Sequence, residues 1–279
     1  MHPDLLQIGP VALRSWGLMM AISVLVGVLV ALKRAKKLGV NPNTVYDMVI
    51  VVVISAIVGS RFFYVIYHLE QFRGNWVATF SPFHGPGGFG ISGLSMMGGV
   101  ALVIVCVAIY AWVKKLNFGR VGDVIAPSFL LGAGITRIGC FLNGCCYGRP
   151  TCGALGMHFP EGAAGQYLRS YMAQHPEVPV TGLLPTQLFA SAFGFLLFFV
   201  VLWLDRWRCF DGFTSWLVLI FYCIDRFIVD QFRYYEPEQI IAELGPVLIT
   251  VNELVLLAIF VFSLIMFWNG YKKSRRSAD

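Results

Sequence analysis

Apolar positions fall into seven blocks separated by short polar stretches: 15–32, 48–69, 91–113, 121–144, 183–204, 212–230 and 245–268. A helix that crosses a bilayer needs roughly 20 mainly apolar residues, so each block is predicted to be a membrane helix. Basic clusters follow every second block: Lys33/Arg34/Lys36/Lys37, Lys114/Lys115/Arg120, Arg206/Arg208 and Lys272/Lys273/Arg275/Arg276. Positive charge is retained on the cytoplasmic side, which predicts an outer amino terminus and a cytoplasmic carboxyl terminus. The expected fold is therefore an all-α polytopic membrane protein of seven spans. It forms a single membrane domain over residues 1–279, in which residues 145–182 make a small outer loop or cap.

Composition agrees with this pattern. Apolar residues make up 57% of the chain and charged residues 13%, about half the charged share of a soluble domain. The net charge of +6 lies beside the apolar blocks, where it reports topology, and no nucleic-acid motif accompanies it. The start of the chain, MHPDLLQIGPVALRSWG, has neither a basic leader nor a small-residue cleavage site, and does not read as a cleaved signal peptide. On the predicted topology all five histidines, His2, His68, His84, His158 and His175, lie on the outer side. The stretch SPFHGPGGFG in the loop 70–90 is too rich in Gly and Pro for a helix and reads as a re-entrant or interfacial turn.

Polar residues inside the blocks carry the candidate chemistry. The fourth block ends in GAGITRIGCFLNGCCYGR, where Arg137, Cys140 and Asn143/Gly144 recur at three- and four-residue steps on one helical face. An arginine within a span normally faces a partner or a wet cavity; the alternative is a side chain that snorkels or caps a neighbour. In the sixth block Tyr222, Arg226, Asp230 and Arg233 also share one face. That face is either a self-neutralising stripe or, with Arg137, an anion site whose planar forks suit a phosphate. Arg61 and Tyr64 either join this site or hydrogen-bond another helix. Gly98 and Gly99 permit close backbone approach, and Gln187 suits a polar ligand or a neighbouring helix. Glu253 is ionisable within the seventh block and a candidate partner for one of the arginines.

Four of the seven cysteines, Cys140, Cys145, Cys146 and Cys152, crowd together without a C-x-x-C pair. A metal site, a disulfide from Cys152 to Cys145 or Cys146, and free thiols all remain open; the working expectation holds no metal and no cofactor. A receptor carrying retinal would need a lysine within the seventh block, which has none. No internal repeat points to an inverted-repeat transporter.

The motifs IGPVALRSWGLMM, GSRFFYVIYH, SMMGG, RIGCFLNGCCYGRPT, PTQLF and DRFIVDQFR, taken in that order, resemble those of the bacterial prolipoprotein diacylglyceryl transferases. The resemblance runs through nearly the whole chain. It implies a multi-pass enzyme of the bacterial plasma (inner) membrane that moves diacylglycerol from phosphatidylglycerol to the cysteine thiol of prolipoprotein signal peptides. It implies that Arg137 and Arg226 handle phosphate, that Asn143 and Gly144 form the family's Asn-Gly pair, and that Gly148 closes the motif. Gly98 and Gly99 match the glycines after the family's histidine. Met97 stands where that histidine is found, Cys145 where a glutamate is, Cys140 for an asparagine, Asp230 for a glutamate and Trp16 for a tyrosine. The thiol proton would pass to the leaving phosphate, Asp225, Asp230 or Glu236. The alternative reading is a divergent paralogue that binds phospholipid or modifies another acceptor.

Overall fold

The structure, a computed structural model, describes residues 4–8, 11–72, 95–159, 162–235, 239–244 and 247–276. Helices dominate: α1 (Ser15–Leu38), α2 (Pro42–Tyr67), the single turn α3 (Leu69–Phe72), α4 (Met96–Val113), α5 (Phe118–Asn143), α6 (Gly162–Gln174), α7 (Thr186–Leu204), α8 (Phe213–Phe232) and α9 (Val251–Arg276). Three two-stranded antiparallel ribbons join them: β1 (Asp4–Ile8) with β2 (Val11–Arg14), β3 (Pro150–Thr151) with β4 (Gly182–Leu183), and β5 (Ile240–Leu244) with β6 (Val247–Thr250).

Local chemistry sets the ends of these elements. Pro42 opens α2 behind Asn41, whose side chain accepts from the Asn43 amide at 2.9 Å, a sequence suited to a first turn. Gly144 takes the left-handed conformation (φ 70) at the end of α5. The Gly144 amide donates to Phe141 O and the Cys145 amide to Cys140 O, both at 3.1 Å, a Schellman closure that satisfies the last carbonyls. Thr250 and Glu253 form a capping box at the start of α9: Glu253 Oε2 accepts from the Thr250 amide at 2.8 Å and from its hydroxyl.

Helix α5 packs against α1, α7 and α8, while α2 pairs with α4 and α8 with α9. Leu130 of α5 meets Phe198 and Val201 of α7 and Val218 of α8 in one buried cluster; Ala31, Ala35, Val45 and Val124 form another. The outer faces are the reverse of a soluble surface. Ile54, Ile104, Leu257 and Phe262 are exposed, consistent with a hydrocarbon surround. Helices α1, α2, α5, α7 with its following turn, and α9 are long and apolar enough to cross a membrane; α4 is apolar but shorter. Asp225, Arg226 and Asp230 interrupt α8.

Carboxylates tie the basic ends of the helices together. Asp205 accepts from Arg34 at 2.9 and 3.2 Å, from Lys37 at 3.1 Å and from Thr214 at 2.6 Å. Asp123 lies inside α5 yet caps α8: it accepts from the amides of Gly212 and Ser215 at 2.8 and 2.9 Å, filling the orphan donors of a helix start.

Each of the seven apolar blocks is helical over most of its length, with shifted ends. Helix α1 runs on through its basic cluster to Leu38, and α2 begins earlier, at Pro42. Among the described residues the seventh block starts with strand, not helix: Ile240–Leu244 and Val247–Thr250 pair as the β5–β6 ribbon and α9 begins at Val251. The β-branched Val247, Ile249 and Thr250 favour strand there. The three short ribbons all lie outside the long helices, and the structure stays compatible with an all-α membrane protein. The proposed turn within 70–90, His2, His84 and Glu236 fall outside the described residues.

Candidate functional site

Two helices supply the charge. Arg137 is on α5, six residues before its end, and α8 presents Tyr222, Asp225, Arg226 and Asp230. The α5–α8 contact is pinned by an edge-on stack of Phe129 on Tyr222, with centroids 5.0 Å apart. The Arg137 guanidinium lies within electrostatic range of Cys140, Cys146, Tyr222 and Asp230. Tyr222 and Asp225 each feel both Arg137 and Arg226. The arginines of α5 and α8 therefore share one polar cluster.

Their pairing differs. Arg226 Nη1 is 3.0 Å from Asp230 Oδ1, and Asp230 is fully buried. Among the described residues Arg137 makes neither an ion pair nor a hydrogen bond. Arg233 lies within electrostatic range of Asp230 but makes its contacts elsewhere: its Nη2 is 3.6 Å from Cys146 Sγ and its guanidinium lies 5.4 Å from the Tyr235 ring centre. The four residues that share a face by spacing thus divide, with Arg226–Asp230 as the neutralised pair. Asp225 keeps a buried carboxylate oxygen without a hydrogen-bond partner among the described residues.

The loop after α5 is held from α7. Gln187 Nε2 donates to Cys145 O at 2.8 Å and Thr186 Oγ1 to Cys146 O at 2.9 Å. Gln187 is therefore a backbone clamp, although its Oε1 is buried without a partner among the described residues. Asn143 ends α5 beside the Cys145 thiol. Gly148 bridges to Arg233, and its amide donates to Leu184 O at 2.9 Å. A Cβ there would come within 2.7 Å of Phe232 O and Thr186 Cγ2, so only glycine lets α7 and α8 close on this loop.

An aromatic cap covers the same end. Tyr167 of α6 stacks 5.4 Å from Tyr147 and 4.3 Å from Tyr234, above a buried cluster of Phe159, Ala164, Leu168, Val180 and Leu183. Burial raises the Tyr167 phenol above its ordinary range, with Tyr234 adding to the effect. The Tyr235 phenol is pushed up to about 12, first by burial and then by the Asp230 charge. Both stay neutral donors at physiological pH.

The remaining expected site residues belong to other elements. Gly98 and Gly99 form the α2–α4 crossing: a Cβ on Gly98 would be 2.5 Å from Gly59 O and would collide with Phe63. Arg61 is buried on α2, with its guanidinium 5.7 Å from the Tyr64 ring and 5.3 Å from Phe72; Tyr64 also stacks on His68 at 4.2 Å. Met97 is exposed. Glu253 belongs to the α9 cap and pairs with no arginine among the described residues. All seven cysteines are free; Cys152 is exposed and stands apart from a cluster of Cys140, Cys145 and Cys146.

Thr186 and Tyr235 enter the site without having been singled out by sequence. Thr186 adjoins Gln187 in the PTQ motif, a usable signal. Tyr235 gave none.

Known proteins match this sequence over most of its length. Residues 3–269 fit the family model described as prolipoprotein diacylglyceryl transferase. A phosphatidylglycerol–prolipoprotein diacylglyceryl transferase of Clostridium tetani is 32% identical over 235 residues, covering 84% of this chain and 86% of the relative. One of Clostridium botulinum is 27% identical over 276 residues, 99% of this chain and 100% of the relative. One of Oceanobacillus iheyensis is 29% identical over 231 residues, 82% and 76% of the two chains. A helical membrane protein with two arginines in one partly buried polar cluster, matched by a single family model from residue 3 to residue 269, belongs to the prolipoprotein diacylglyceryl transferase family.

Proposed function

We propose that this chain transfers the diacylglyceryl group of phosphatidylglycerol to the cysteine thiol of a prolipoprotein signal peptide. The acceptor sulfur attacks the glyceryl carbon that bears the phosphate. The carbon–oxygen bond breaks, a thioether forms and glycerol phosphate leaves with the electron pair. The reading rests on Arg137, a cation in a largely apolar helix that faces the α8 cluster and has no carboxylate paired to it among the described residues.

In this reading Arg137 grips the phosphate, and Arg226, oriented by Asp230, supplies the second fork. Negative charge builds on the phosphate oxygens as the ester bond breaks, and fixed guanidiniums in a dry site stabilise it more than water does. Asp225, with its unpartnered buried oxygen between the two arginines, accepts the thiol proton. Asn143, Gly144, Gly148 and Gln187 hold the loop that the lipid headgroup contacts. Tyr222 and Arg233 line its walls, while Arg61, Tyr64, Gly98 and Gly99 shape the α2–α4 side. The seven long helices all span the plasma (inner) membrane, with the amino terminus outside, the carboxyl terminus in the cytoplasm and the α6 cap over the outer leaflet.

The test is direct. Purified protein, phosphatidylglycerol and a lipobox peptide should yield a peptide heavier by one diacylglyceryl group in a mass spectrum. Arg137→Ala should lower the rate about 10²-fold or more. Lipid binding that needs Arg137 but gives no modified peptide would favour the paralogue with another acceptor.

A further inference from the structure

Three thiols converge where the headgroup site meets the cap. Cys140 is buried in the last turns of α5, and Cys145 and Cys146 follow the left-handed Gly144. Their sulfurs lie within 4.8 Å of one another. Cys146 itself has φ 60, a conformation uncommon outside glycine. Both carbonyls of the Cys145–Cys146 pair are tied to α7 by Gln187 and Thr186, so the loop is fixed in this shape. A cavity of about 200 Å³, lined by Cys146, Tyr147, Arg233, Tyr234 and Gln239, opens beside the Cys146 end of the cluster.

We propose that Cys140, Cys145 and Cys146 form a binding site for one thiophilic d¹⁰ cation of the zinc class. Metal–thiolate bonds of about 2.3 Å place three ligand sulfurs roughly 4 Å apart, so the observed triangle needs only a small contraction. Three sulfur ligands select soft ions over magnesium or calcium. On binding, each thiol loses its proton to solvent as its metal–sulfur bond forms. A fourth, tetrahedral position would be filled by water. The sequence lacks the C-x-x-C spacing; the left-handed turn at Gly144 brings Cys145 back over Cys140 instead.

Occupation changes the neighbouring charge. A divalent ion with three thiolates carries a net charge of minus one, and it would sit beside Arg137 and Arg233. It then competes with the lipid phosphate for those cations, so the loaded site lowers transfer. This consequence rests on the transferase reading above; the metal site does not.

Full-length protein in detergent, with its thiols reduced and counted, is titrated with Cd²⁺, following the sulfur-to-metal charge-transfer band, and with Zn²⁺ against a chromophoric chelator. One equivalent should bind. Cys140→Ser, Cys145→Ser and Cys146→Ser should each weaken binding roughly tenfold or more, whereas Cys152→Ser and Cys209→Ser should not. Thermal melting of each variant identifies any that misfolds, and the other two ligand variants then decide. No saturable equivalent, or binding lost with Cys152 and kept without Cys146, overturns the site. If Zn²⁺ binds while the loaded protein transfers as fast as the metal-free protein, the competition is overturned and the site stands. If the metal-free protein transfers nothing, the transferase reading fails and the titration still reports on the site.

Discussion

Arg137 and Arg226 differ in what surrounds them, and that difference is measurable. Arg226 has Asp230 at 3.0 Å, so Asp230→Ala leaves a partly buried cation without that counter-ion and should cost about 1–3 kcal/mol of stability, read as a lower melting temperature in detergent. Arg137→Lys keeps the charge but loses the planar fork; the melt should hardly move while transfer falls. Gly148→Ala should lower both, because the added methyl would meet backbone as well as a side chain. Much of this site was legible as spacing. A three-and-four repeat put Arg137, Cys140 and Asn143 on one face, and the same rule aligned Tyr222, Arg226 and Asp230. Spacing could not show that Arg233 leaves the stripe for Cys146, because it follows α8 in extended backbone. Nor could it show that Gln187 binds a loop carbonyl, a contact between residues 42 positions apart.

Between elements, helix ends do work that a hydrophobic pattern does not reveal. Asp123 is a charged residue near the start of the fourth block, and its carboxylate caps α8. Asp123→Ala should destabilise the protein by about 1–3 kcal/mol, the usual cost of stranding buried donors, with the loss read from denaturation curves. The boundaries of α2 and α5 follow readable signals, Asn41-Pro42 and Gly144. The β5–β6 hairpin was hidden for a physical reason: a short apolar run fits a strand or the first turns of a helix equally well. Its closing register, Leu244 opposite Val247, arises only when the chain folds back.

For the molecule as a whole, the bilayer supplies the contrast between the exposed apolar faces and the basic ends. The topology in the Proposed function is open to a labelling test. A membrane-impermeant maleimide should reach exposed Cys152 in intact spheroplasts, and exposed Cys209 only after lysis; the reverse order would invert the orientation. Seven helical blocks could be read from hydrophobicity because backbone polar groups in lipid must pair within their own segment. The cap could be located but not shaped, since its aromatic stack joins residues 147, 167 and 234.

The Asp205 knot has a consequence in time as well as in space. Arg34 is held by a carboxylate 171 residues further along the chain. During synthesis the first helix must therefore wait, its guanidinium without that counter-ion, until α7 has been made and delivered to the same edge of the bilayer. Nascent chains halted short of residue 205 should remain open to membrane proteases, and those released a few dozen residues later should resist them.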